Sequence, residues 1–142
     1  MNATLNSLNL KKGDTIFLYG NWNGNENATI DFYIQKYIIY SIGKKRCYLL
    51  YNAEDTTRKE YNCTNELNIA LTLEAAKIDC IEYIPGYISR ESKGYLWRIE
   101  NWGKNNKQYC ALIEKMYTNI TTASVRVLIN PFKNDTPEII NL

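Results

Sequence analysis

Apolar and polar residues alternate along much of the chain, and the alternation divides its first half into short β segments. Residues 14–19 (DTIFLY), 45–52 (KRCYLLYN) and 59–63 (KEYNC) each read as a strand, separated by polar turns at 41–44 and 53–58. Residues 29–40 (TIDFYIQKYIIY) predict a longer one. There Ile30, Phe32, Ile34, Lys36, Ile38 and Tyr40 share one face, and Asp31, Tyr33, Gln35, Tyr37 and Ile39 the other. Both faces carry large apolar side chains, which suits a curved strand or one whose buried face switches at a bend. Before it, residues 20–27 hold two Gly and four Asn with no apolar period, the strongest loop signal in the chain. Residues 1–13 read as a loose lead-in.

From residue 67 the periods compete. Leu67, Ile69, Leu71 and Leu73 alternate like a strand, whereas Leu67, Leu71, Ala75 and Ile78 recur at helical spacing. Splitting the segment reconciles them: a strand over 68–71, Thr72 as N-cap, and a helix over 73–83 with Glu74 in the first turn. Pro85-Gly86 is expected to end that helix. Beyond it, residues 94–101 (GYLWRIEN) read as a strand with Tyr95, Trp97 and Ile99 on one face. Residues 102–107 are a polar turn. Residues 108–118 (QYCALIEKMYT) read as a strand, with helix as the alternative, and 124–130 (SVRVLIN) as a strand rich in β-branched residues. Pro131 and Pro137 bracket a turn before a final edge strand or tail at 138–142.

The passage from strand to helix at Ala70, Leu71, Thr72, Leu73, Glu74, Ala75 and Ala76 resembles the F-L-T-x-E-E-A junction of small SH3-like barrel proteins from low-GC bacteria and their phages. Ala70 stands in place of the aromatic and Ala75 in place of the second acid. The resemblance covers about residues 14–83 and implies a fold and an origin, not an activity. The fold class expected is therefore α+β and β-rich. An SH3-like open barrel with one closing helix (1–83) precedes an antiparallel β extension (84–142) that shares its core, with the seam at 83–92.

Composition narrows the chemistry. The chain has 142 residues, 45% of them hydrophobic and 23% charged, with a mean hydropathy of −0.41, as in an ordinary globular domain. Twelve Tyr and no His are present. The missing imidazole removes the usual general base, the Ser-His-Asp and Cys-His pairs and every His-containing metal site. The net charge of +2 gives no basic tail for duplex nucleic acid. No secretory signal or spanning segment is legible, so the expected location is the cytoplasm, of a host cell if the chain is phage-encoded, and no membrane partner is expected. Abundant Asn, Ile, Lys and Tyr point to an AT-rich genome. Sequons occur at Asn2, Asn27, Asn62, Asn119 and Asn134, and have no bearing in a cell that does not glycosylate. Cys47, Cys63, Cys80 and Cys110 form no C-x-x-C and are expected as free buried thiols.

No catalytic set emerges. Glu91 with Glu100, or Glu54 with Asp55, has no spacing that specifies a carboxylate pair. Cys47 follows three cations but lies in an apolar strand. Gly20 and Gly24 lack the Lys-Thr and helix of a phosphate loop. Asn23, Asn25 and Asp31 offer too few acidic oxygens for calcium. No metal and no cofactor are expected. Binding surfaces are the better candidates. Trp22 lies in a Gly/Asn loop and Trp102 heads a polar turn; each either folds back onto the core or, if exposed, serves with Tyr48 and Tyr51 as a partner contact. Trp97 is expected in the core. The function expected is non-catalytic binding. The protein would be a phage or prophage accessory factor that inhibits a host enzyme, a host protein or a nucleoprotein defence complex, in the manner of an anti-CRISPR inhibitor. Homo-oligomerisation stays open. Two alternatives stand beside it. Lys44, Lys45 and Arg46, next to the tyrosines, would bind nucleic acid. Arg90, Arg98 or Arg126 beside a ring would hold a nucleotide second messenger.

Overall fold

A computed structural model of the protein describes residues 1–22, 28–132 and 136–142. Among these residues the chain is α+β, with eight strands in one mixed sheet and two α-helices. The strands are β1 (Asn2–Ala3), β2 (Thr15–Asn21), β3 (Thr29–Ile42), β4 (Arg46–Leu50), β5 (Lys59–Asn62), β6 (Leu67–Ala70), β7 (Ser124–Ile129) and β8 (Glu138–Asn141). The helices are α1 (Leu73–Trp102) and α2 (Lys107–Thr122). The sheet runs β1-β6-β2-β3-β4-β5, with β7 on β3 and β8 on β7, and it does not close into a barrel.

Strand β3 organises the sheet because its 14 residues outrun any single neighbour. One edge pairs with β2 over residues 32–38. The other edge is shared: β7 lies parallel along 29–34, and β4 lies antiparallel along 38–42. The gap between them is closed by side chains. Asn130, at the end of β7, adopts the left-handed conformation (φ 56°), and its N–H donates to the Ile34 carbonyl at 2.7 Å. The Asn130 carboxamide oxygen then accepts the Lys36 N–H at 3.0 Å. Gln35, fully buried, accepts the Phe132 N–H at 3.0 Å and donates to the Lys36 carbonyl. Backbone groups that would otherwise be orphaned at the fork are thus satisfied without a strand.

The expected switch of buried face on β3 is present. Ile30, Phe32 and Ile34 enter a first core, shared with Phe17 and Tyr19 of β2, Val127 of β7, and the helices through Ala76, Cys80, Ile84, Tyr95, Ile113 and Ile120. Tyr37 and Ile39, on the opposite face, enter a second core with Leu5, Ile16, Leu18, Cys47, Leu49, Cys63 and Ile69. The helical crossover of residues 71–123 separates β6 from β7, which is what lets β7 return parallel to β3.

Helix α1 starts where the junction predicts: the Thr72 hydroxyl accepts the Ala75 N–H at 3.1 Å. It does not stop at Pro85. The proline sits on the exposed side of the helix, where the carbonyl it strands, on the exposed Ile81, can reach water. Meanwhile Tyr83, Ile84, Tyr87 and Ile88 keep the inner side on the sheet. The strands expected at 94–101 and 108–118 are helical, and the antiparallel extension is a helical hairpin followed by β7 and β8. Tyr95 is buried and Ile99 half-buried one helical turn further on, while the intervening Trp97 is exposed, not core. Tyr109, Ile113, Met116, Tyr117 and Ile120 form one helical face on α2. Residue 83 lies within α1, and the first core draws on residues from both sides of it.

The fork makes a graded prediction. Asn130→Ala loses the Lys36 hydrogen bond and strains a left-handed residue, and should cost about 2 kcal/mol. Asn130→Gly loses only the hydrogen bond and should cost about 1 kcal/mol. Urea unfolding checks this; a glycine variant at least as unstable as the alanine variant would contradict the assignment.

Candidate functional site

The hairpin of α1 and α2 turns through a 3₁₀ segment, Gly103–Asn105. Gly103 permits the turn, since a Cβ there would stand 2.8 Å from the Cys110 sulfur. Asn106 then caps α2, its carboxamide oxygen accepting the Tyr109 N–H at 3.0 Å. At this turn the two tryptophans of α1 meet solvent. Trp97 is 53% exposed and Trp102 51%. Their rings stand edge to face at 5.1 Å, and Trp102 also approaches Tyr109 at 6.4 Å. Leu96 and Leu112, from the same two helices, are exposed as well. Arg98 lies over the Tyr95 ring at 5.6 Å.

The other expected contacts are dispersed. Trp22 is 41% exposed, yet it folds back to stack on Phe132 at 4.8 Å and meets Tyr33 edge-on. Tyr51 stacks on Tyr37 at 5.4 Å against the second core, whereas Tyr48 belongs to neither core. Tyr51 and Phe132 border a cleft of about 360 Å³ with Asp55, Thr56 and Thr57. Lys44, Lys45 and Arg46 are all exposed around the β3–β4 turn, and Arg46 is paired with Glu60 at 2.8 Å. Sequence reasoning missed two cations near them: Arg58 and Lys12 both lie over the Tyr40 ring, at 3.8 and 4.8 Å. No local pattern announces that meeting, because residues 12, 40 and 58 are joined only by strand register.

The three arginines proposed for a nucleotide do not converge. Arg90 lies over Tyr83 and lines a cavity of about 660 Å³ with Tyr19, Asp79 and Glu82, where Asp79 pairs with the Met1 amine at 2.7 Å. Arg98 is eight residues further along α1, about 12 Å by helical rise. Arg126 is held by Asp31 through two hydrogen bonds of 2.8 and 2.9 Å, which also raise its pKa. It projects from the face of β7 opposite Val127 and the helices.

Glu91 and Glu100 are nine residues apart on α1, about 13 Å along the axis, beyond the span of a glycosidase pair. Asp55 accepts the Asn52 N–H at 2.8 Å and shapes its own loop. Asn23 and Asn25, and Gly24 of the glycine pair, lie outside the described residues, and the Asp31 carboxylate is engaged by Arg126. Among the described residues no three Cys, Asp or Glu side chains group to hold a metal, and no helix is long and apolar enough to cross a membrane.

The thiols are free and three are buried, while Cys110 is half-buried. Burial raises Cys80 to about 12, and burial with the neighbouring Cys63 thiol raises Cys47 to about 12, despite the adjacent cations. Burial also raises Tyr19 and Tyr33 to about 12. A thiol shifted upward resists ionisation in the fold but not in the unfolded chain. Its contribution to stability is therefore full below its ordinary value near 9 and is lost as pH climbs toward about 12. The melting temperature should fall over that window, and less steeply in Cys80→Ala. Equal slopes in the two proteins would show that Cys80 is not the buried neutral thiol described.

No family model matches the chain, and no curated protein or solved structure is significantly similar to it.

Proposed function

We propose that the protein is a non-catalytic binding protein, an accessory factor of phage or prophage type that inhibits a host enzyme or defence complex by covering it. An anti-CRISPR inhibitor is one form this takes, and the host cytoplasm is where it would act. The SH3-like likeness of the first 83 residues belongs to the same reading: residues of β2, β3 and β4 share the second core, and that is the part that supports it. One observation carries the reading, the exposed Trp97–Trp102 pair at the hairpin turn. Each ring limits the other's rotation, so part of the ordering cost of binding is met in the free protein. Tryptophan dominates contact hot spots because a single side chain removes a large apolar area from water. Leu96 and Leu112 are also exposed on the same two helices, and Glu100, Lys104 and Lys107 lie within a few residues of Trp102 along the chain, the composition expected of a contact patch with a polar rim. The dispersed acids and the upward-shifted Cys47 and Cys80 thiols make action by contact the chemistry best supported.

The test is capture from a host-type bacterial lysate treated with nuclease. The wild-type protein should retain a specific protein partner. Trp97→Ser with Trp102→Ser should lose it by roughly a hundredfold in affinity, two hot spots of about 1.4 kcal/mol each or more. A doubly substituted protein that folds normally and captures the same partner equally well would refute this contact centre.

A further inference from the structure

A second surface lies on the same face of the sheet as the helices, over its β3–β4–β5 end. Strands β3 and β4 are in register from Ile38↔Leu50 to Ile39↔Leu49, but the next pairs are Ser41↔Tyr48 and Ile42↔Cys47. Tyr40 is therefore the extra residue of a β-bulge. The bulge has a clear effect. It lets Ile39 and Ile42 both face the second core, although they are three residues apart, and it turns Tyr40 out on the side that Tyr48 occupies.

Cations gather on that outward ring. Gly13, in the left-handed region at φ 91°, donates its N–H to the Ile39 carbonyl at 2.8 Å, and this turn sets Lys12 over Tyr40. Arg58, two residues before Glu60, lies over the same ring at 3.8 Å. Glu60 pairs with Tyr48 across the ribbon, and its carboxylate holds Arg46. Lys12, Arg46 and Arg58 thus surround two half-buried rings, and all three cations are exposed. Glu60 is the acid paired with them; Asp14 stands in the Lys12 turn, where its carboxylate accepts the Lys11 N–H at 2.8 Å, and Glu54 and Asp55 stand in the β4–β5 loop. The helices cover the other half of this face, through β2, β6, β7 and the first part of β3, and stop short of the ribbon.

We propose that this outer face of the β3–β4–β5 ribbon binds single-stranded nucleic acid. The three cations are complementary to a phosphate backbone, and the Tyr48 ring and the Arg58–Tyr40 stack to the flat faces of unpaired bases. Guanidinium groups serve both purposes, since Arg58 already stacks on Tyr40 by one plane and keeps N–H donors at its rim. A duplex hides its base faces and would meet only the charges. The surface is independent of Trp97 and Trp102, so the failure of either reading leaves the other intact.

Fluorescence anisotropy with a labelled oligothymidylate of about twelve nucleotides tests it, at about 50 and 200 mM salt. Three phosphate contacts predict a log–log salt slope of about −2. Arg58→Glu should weaken binding at least roughly tenfold and flatten the slope. Tyr40→Ala should weaken it by roughly tenfold through lost stacking. Glu60→Gln should tighten binding severalfold, because it releases Arg46 to phosphate. Lys107→Glu, the same charge change on α2, should leave affinity within about twofold, and the Trp97→Ser/Trp102→Ser protein should bind as wild type. Absence of binding at the lower salt overturns the proposal. So does equal loss in Lys107→Glu and Arg58→Glu, a duplex or polyglutamate bound as tightly as the oligonucleotide, or a Glu60→Gln protein that binds more weakly.

Discussion

One strand edge serves two partners, and the rest of the molecule follows from how that edge is divided. Strand β3 gives its first six residues to β7 and its last five to β4. Backbone hydrogen-bonding groups between the two pairings cannot be abandoned at low cost. Asn130 and Gln35 meet the need with side-chain amides, which carry a donor and an acceptor in the geometry of a peptide group. Asparagine is also the residue that combines this amide with tolerance of the left-handed backbone by which β7 leaves the sheet.

That division places different cores on opposite faces of one sheet. Over the β7 half, the even residues of β3 pack under the helices; over the β4 half, the odd residues pack around Leu5. Two exposed regions carry the candidate contacts. The helical hairpin ends in a pair of tryptophans, and the outer face of the ribbon carries Tyr40, Tyr48 and their cations. Both proposed contacts lie where the fold has no further layer to add. The buried thiols and phenols belong to the two cores.

The legible parts of the fold were those set by local pattern. The double-faced run in β3, the Thr72 cap and the β-branched run of β7 all stand near where periodicity puts them. The errors arose where two periods coincide. Tyr95, Trp97 and Ile99 alternate like a strand, but Tyr95 and Ile99 are also four apart, and burial follows the second relation. On α2 the decisive set, Tyr109, Ile113, Met116, Tyr117 and Ile120, extends beyond residues 108–118, so that stretch alone does not show its full helical period. Pro85 signals a helix end from local sterics alone, and the sheet beneath α1 overrides it. Parallel docking of β7 and the meeting of Lys12, Tyr40 and Arg58 depend on long-range register, which no short pattern encodes. Of the candidate contacts, Trp102 is exposed beside Trp97, whereas Tyr51 and Trp22 spend their rings on neighbouring aromatics.

If the shared strand unites both cores, they must unfold together. Native-state amide hydrogen exchange across β3, β4 and β7 measures this most directly. Slowly exchanging amides in the two pairings of β3 should converge on one opening free energy as denaturant is added, equal to that of global unfolding. Opening of the β3–β4 pairing at a distinctly lower free energy, with the β3–β7 pairing and the helices still protected, would mean two separable units and contradict the account.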